Sequence, residues 1–257
     1  SYEVLCKVGY ATYCRPGTGL CRTITSKVPC VNLLISIGDS WTAGVGCYDD
    51  AALDQLSRKE IKMDRLYPLS LDSFAKNCWP KQLTDKLGWD LINLSSGGES
   101  NSGQAKLLFD SIPDDLCKKY NNVFVIWLLS DPHRPSFYVD GEIQSYNTDT
   151  PMYKLVQKTL KPSSNDAQLE TNFYIKCVEK FCKSNNYHFL FGNAFGESHT
   201  LNNHKSNMHA NLKYSTFKEF VPKNEYAFCQ HPTMHGYTAI MNEIYNLITN
   251  NYLKEAQ

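Results

Sequence analysis

The stretch LLISIGDSWTAGVG, residues 33–46, decides the fold. It opens with an apolar run broken only by Ser36, the pattern of a strand covered on both faces. The run stops abruptly at Gly38-Asp39-Ser40. One reading is a tight turn in which Ser40 caps a short helix, a position serine favours. The other is a serine nucleophile held at the mouth of a sheet. What the rest of the chain delivers to the same place separates the two.

Outward from this stretch, strands and helices alternate. WDLINLS (89–95), NNVFVIWLLS (121–130) and YHFLFGNAF (187–195) read as further strands. WPKQLTDKLG (79–88) reads as a helix, with Pro near its start, Leu83 and Leu87 four apart and a closing Gly. Helices are also expected at 104–112, at 166–185 (Leu169, Phe173, Val178 and Phe181 at helical spacing) and at 236–253. This alternation predicts one α/β domain around a mainly parallel sheet with helices on both faces, a three-layer sandwich. Residues 1–30, with Pro, Gly and four cysteines, read as an irregular segment packed on the main fold. The domain proper runs from 31 to 257, with insertions at about 48–77 and 196–230.

Right-handed crossovers bring the C-terminal ends of parallel strands to one edge, where open α/β sheets bind ligands. Three strands carry distinctive residues there: Gly38-Asp39-Ser40, Gly97-Gly98-Glu99-Ser100-Asn101, and Ser130-Asp131-Pro132-His133-Arg134. A serine hydroxyl needs a base, and an oxyanion needs preorganised donors worth about 10²–10³ in rate each. Gly98 brings a bare backbone N–H close to a ligand, and Ser130 offers a hydroxyl. The base is His231, in CQHPTMHGYTAI, where Pro232 fixes an extended turn before the last helix. Asp39 serves chiefly to hydrogen-bond its own loop. Arg134 is either a binder of substrate carboxylate or phosphate, or a partner in a surface ion pair.

Other chemistries find less support. Equal numbers of basic and acidic residues, 26 each, give no overall pull toward nucleic acid or an anionic membrane. No apolar run reaches the roughly 18 residues of a membrane span. The N-terminus lacks the basic region and apolar core of a secretory signal, although a chain already relieved of its signal would look the same. The compartment stays open, cytoplasmic and virion-associated locations both being compatible with this. His231 and His235 lie four apart, but without the Glu of H-E-x-x-H and with Pro232 between them, so no metal is expected. Cys6, Cys14, Cys21 and Cys30 form no C-x-x-C pair, which points to free thiols or one or two disulfides. No nucleotide-binding glycine loop follows a strand, and no cofactor is expected.

Together IGDSWTAG, INLSSGGESN, VFVIWLLSDP and HPTMHGYTAIMNEI resemble the four conserved blocks of the SGNH (GDSL) hydrolase superfamily. The resemblance spans roughly residues 31–250. GDSWT…WPKQLTDKLGWDLINLSSGGESN is also similar to a branch of the superfamily found in bacteriophages and environmental sequences. It implies a flavodoxin-like fold, Ser40 as nucleophile and His231 as base. It also implies an oxyanion hole of the Ser40 and Gly98 N–H groups with a third-block side chain. Asn101, in the second block, is a candidate supporting residue. Two positions depart from the family pattern. The third block usually reads Gly-x-Asn-Asp, and here Ser130 replaces the asparagine donor. The usual aspartate three residues before the histidine is Phe228, leaving Glu225 as the nearest acidic candidate.

The expected function is hydrolysis of a carboxylic ester through an acyl-Ser40 intermediate, with small acyl groups on a glycan, such as O-acetyl, as first choice of substrate. The rivals are a non-catalytic virion or glycan-binding module of the same fold, and an acyltransferase using the same site. The catalytic readings require Ser40 Oγ within hydrogen-bond reach of a His231 ring nitrogen.

Overall fold

The computed structural model describes residues 31–48, 71–113, 116–134, 164–194, 216–227 and 230–253, with strand segments at 3–7, 10–14, 21–24, 136–139 and 142–145. Its centre is strand β4 (Leu33–Gly38), buried along its whole length. The strand pairs in parallel with β5 (Asp90–Asn93) on one side and with β6 (Val123–Leu129) on the other. Strand β9 (His188–Asn193) pairs in parallel with β6, giving the order β5-β4-β6-β9. The chain moves from β4 to one neighbour and then returns to the other, so its direction reverses at the β4/β6 boundary. That reversal is where a doubly wound sheet opens a crevice.

Alternation along the strands sends side chains to two cores. Leu34, Phe124, Ile126, Leu128 and Leu190 face helices α2 (Leu71–Asn77), α3 (Trp79–Leu87) and α6 (Met234–Ile248), through Phe74, Trp79, Leu83, Tyr237, Ile240 and Ile244. Leu33, Ile35, Ile37, Val125 and Trp127 face α4 (Asn101–Ser111) and α5 (Ser164–Ser184), through Ala105, Leu108, Ile175 and Val178. The structure is therefore the three-layer α/β sandwich expected from the alternation of apolar runs. Each fully buried Leu or Ile in these layers contributes about 1.5–3 kcal/mol relative to exposure.

Within residues 1–30, expected to be irregular, β1 (Glu3–Lys7), β2 (Tyr10–Cys14) and β3 (Cys21–Ile24) form an antiparallel meander. The side chains of these strands, and with them the pairing of Cys6, Cys14, Cys21 and Cys30, lie outside the described residues. The supposed insertion at 48–77 ends in helix α2, which buries Phe74 in edge contact with Tyr48, ring centroids 5.2 Å apart. The stretch at 49–70 lies outside the described residues. Within 196–230, Phe217–Phe220 is a short 3₁₀ turn whose Phe217 is buried. A hairpin of β7 (Ser136–Val139) and β8 (Glu142–Ser145), which the sequence does not announce, follows β6.

At the opposite end of the sheet from the strand C-termini, His188 stacks on Phe124, with centroids 4.5 Å apart, and meets Tyr252 edge-on at 5.4 Å. Burial lowers the His188 pKa below the ordinary histidine value. The unfolded chain therefore binds this proton more readily than the folded one. The resulting stabilisation is complete above about pH 6.5 and is lost as pH falls through the folded value. Thermal melts between pH 7 and pH 5 are expected to show a smaller loss of Tm for His188→Phe than for the wild type. Identical losses would show that this ring does not report pH.

Candidate active site

The Ser40 turn is built by close approach. A Cβ on Gly38 would lie 2.1 Å from Thr42 Oγ1, so only glycine lets the chain fold back at the end of β4. Asp39 then caps the one-turn helix α1 (Ser40–Ala43), its side chain accepting from Trp41 N at 3.0 Å. Ser40 is thus the first helical residue and Asp39 the cap, which removes capping as the reason for Ser40. Gly44, at φ +86°, ends the helix.

The His231 imidazole arrives from a segment far along the chain. Tyr226 and Pro232 form an antiparallel bridge, Ala227 N donates to His231 O at 2.8 Å, and Gln230 N donates to Ala227 O at 2.8 Å. This tight turn, with Gln230 at φ +61°, presents the imidazole. His231 Nε2 lies 2.8 Å from Ser40 Oγ. Position 228 lies outside the described residues.

Two residues whose roles the sequence did not reveal seat this turn against α1. Gly46, at φ +105°, faces the histidine loop so closely that a Cβ would come within 2.5 Å of Pro232 O and 3.0 Å of His231 Cβ. Tyr237, fully buried on α6, donates to Val45 O at 2.8 Å and reaches Ser40 O at 3.4 Å. The only sequence signals were a glycine two residues past another and a tyrosine on the apolar face of a helix.

The remaining candidates divide. Gly98, at φ +84°, takes the left-handed backbone that glycine favours, in the loop after β5. Ser130 does not offer its hydroxyl to the site: Oγ donates to Glu99 O at 3.2 Å, with Asn101 Oδ1 at 3.4 Å. A serine is too short to carry its donor past the loop that it braces. Asn101 is buried and pairs with the Ser130 peptide, accepting from its N at 2.9 Å and donating to its O at 3.2 Å. Glu225 does not bond to the imidazole. Its carboxylate accepts from Thr233 Oγ1 at 2.5 Å and its carbonyl from Thr233 N at 2.9 Å, so it closes the base of the histidine turn. His235 falls in the first turn of α6, whereas His231 precedes the helix, so the two do not share a helix face. Among the described residues, no three His, Cys, Asp or Glu side chains are placed to hold a metal ion.

Arg134 is neither exposed nor half of a surface ion pair. The Asp131 side chain accepts from His133 N at 2.8 Å and its carbonyl from Arg134 N at 3.1 Å, a turn that precedes the approach of Arg134 to the end of β4. There Arg134 Nη1 meets Asp39 Oδ2 at 3.1 Å, with side-chain exposures of 14% and 0%. Burial raises the Asp39 pKa above the ordinary carboxylate value, while the guanidinium and the Trp41 N–H draw it down. Removing one partner of such a buried pair costs about 3–5 kcal/mol.

No protein-family model matches the chain, and no curated protein sequence does. Solved structures do. Acetyl xylan esterase Est2A from the rumen bacterium Butyrivibrio proteoclasticus aligns with TM-score 0.50 at 14% identity, over 90% of this chain and 66% of that one. A G-D-S-L-family protein from Desulfitobacterium hafniense DCB-2 aligns with TM-score 0.45 at 12% identity, over 84% of this chain and 98% of that one. The psychrotrophic esterase EstA from Pseudoalteromonas sp. aligns with TM-score 0.44 at 15% identity, over 87% and 99%. What is shared with Est2A at 14% identity is the fold, here a four-stranded parallel sheet flanked by helices. The comparisons lend no support to a phage-like branch.

The Tyr237 hydroxyl is buried, and its loss leaves the Val45 carbonyl without this donor. Tyr237→Phe is expected to lower unfolding stability by about 1–3 kcal/mol in urea titrations. A change within about 0.5 kcal/mol, the range of ordinary surface substitutions, would show that this bond does not hold α6 to the Ser40 turn.

Proposed function

We propose that this protein is a serine esterase that cleaves a carboxylic ester through an acyl-Ser40 intermediate, with His231 as general base. The observation that carries the reading is the 2.8 Å contact between His231 Nε2 and Ser40 Oγ, made across the whole domain by two dedicated turns. It favours the catalytic reading over a binding module, which has no need to place an imidazole on a hydroxyl.

In the acylation step Nε2 takes the hydroxyl proton as Oγ attacks the ester carbonyl. The oxyanion then faces the N–H groups of Ser40 and Gly98. Collapse expels the alcohol, which receives the proton from the imidazolium. A water molecule next loses a proton to Nε2 and attacks the acyl carbon, returning Ser40 and releasing the acid. Offering an alcohol in place of that water is the test for the transferase variant. A small acyl group on a glycan is the substrate proposed, in keeping with the acetyl xylan esterase that has this fold.

Two substitutions test the reading with p-nitrophenyl acetate and an acetylated xylan. Ser40→Ala is expected to lower kcat by roughly 10⁴–10⁶, and equal rates in both proteins would overturn the nucleophile assignment. Gly46→Ala retains both reacting groups but displaces the histidine turn. It is expected to lower kcat about 10²-fold, and unchanged turnover would show that the turn adjusts freely.

A further inference from the structure

We infer that Arg134 is a positioning residue that joins the nucleophile turn and the Gly98 loop into one unit, an inference that rests on the esterase reading above. One nitrogen makes both connections: Nη1 donates to Asp39 Oδ2 at 3.1 Å and to Glu99 O at 3.1 Å. Asp39 holds Trp41 N with its other carboxylate oxygen, so this end of the link fixes the start of α1 and with it Ser40. Glu99 follows Gly98 directly, so the other end fixes the loop that carries the second oxyanion donor.

The Glu99 carbonyl is clamped from three sides. Besides Arg134 it accepts from Ser130 Oγ at 3.2 Å and from Gln104 Nε2 at 3.0 Å. Gln104 is itself oriented by the buried indole of Trp127, whose Nε1 donates to Gln104 Oε1 at 2.6 Å. A carbonyl oxygen has two lone pairs, so three donors saturate it and hold its peptide plane. Of the three, Arg134 alone also touches the nucleophile turn. The backbone bond from Ser96 N to Gly38 O at 3.2 Å ties the base of the loop to the end of β4; beyond it, a shift of Asp39 is passed to Gly98 through Arg134, which tunes the spacing between Ser40 Oγ and the Gly98 N–H. Because a single nitrogen makes both bonds, an ammonium group with its three donors can serve the same purpose.

The test uses the full chain with Arg134→Met and Arg134→Lys, read by amide hydrogen exchange and by ester kinetics. The Trp41 and Glu99 amides are expected to exchange at least about tenfold faster together in Arg134→Met, while the β6 and β9 amides keep their protection. In the same variant kcat is expected to fall about 10²-fold, the cost of losing an aligned oxyanion donor, with KM changed less than about twofold. Arg134→Lys is expected to recover most of both effects. Acceleration at Trp41 with unchanged exchange at Glu99 would overturn the inference, as would an effect confined to KM or a lysine variant no better than methionine. Joint acceleration in a protein whose wild type shows no Ser40-dependent turnover would support the link and remove the esterase reading instead.

Discussion

The site depends on the parallel pairing of β4 with both of its neighbours. Leu34 lies opposite Leu91 on one side and Phe124 on the other, and Ser36 opposite Asn93 and Ile126. A parallel register obliges all three strands to leave the sheet at the same edge. The Ser40 turn, the Gly98 loop and the Ser130–Arg134 loop are neighbours for that reason, whatever their separation along the chain. A slip of one residue would send each strand's core side chains to the opposite face. With Leu34, Ile126 and Leu128 in one core and Ile35, Val125 and Trp127 in the other, both faces resist it.

Within that frame sits a carboxyl group with no access to solvent. Asp39 is fully buried, and Arg134 is the cation that lets it stay there. A shorter polar residue would cap α1 without the desolvation penalty. The charge instead makes the turn dependent on a loop from another strand, coupling elements that capping alone would leave independent.

Much of this was legible in the sequence, for reasons that differ by residue. The buried strands announced themselves because burial on both faces leaves continuous apolar runs, as in LLISI and VFVIWLL. Ser40 and His231 could be paired because a parallel sheet has one functional edge and the chain returns to it by a known rule. The Asp39–Arg134 pair was not legible, since its members are 95 residues apart and nothing local marks an arginine that approaches the end of β4. Gly46 and Tyr237 were missed for the same reason: what each must avoid or reach comes from the other end of the chain. Helix α2 was hidden in a polar stretch; among its described side chains Phe74 is the large apolar one that is buried. Glu225 misled because proximity in sequence was its sole recommendation.

The third-strand loop is held by inward-facing hydrogen bonds. In the family pattern that this chain resembles, an asparagine in this loop points an amide at the oxyanion. Here the asparagine amide belongs to the second loop instead, where Asn101 grips the Ser130 peptide by both its N–H and its carbonyl. The Ser130 hydroxyl, unable to reach outward, turns inward onto Glu99 O. Under the proposed chemistry the donors that remain are backbone N–H groups, which have no side-chain freedom with which to correct a misplacement. Their value rests on how rigidly the two loops are held relative to each other. The hydrogen bonds converging on Glu99 O supply that rigidity, and the Ser130 hydroxyl is one of their donors.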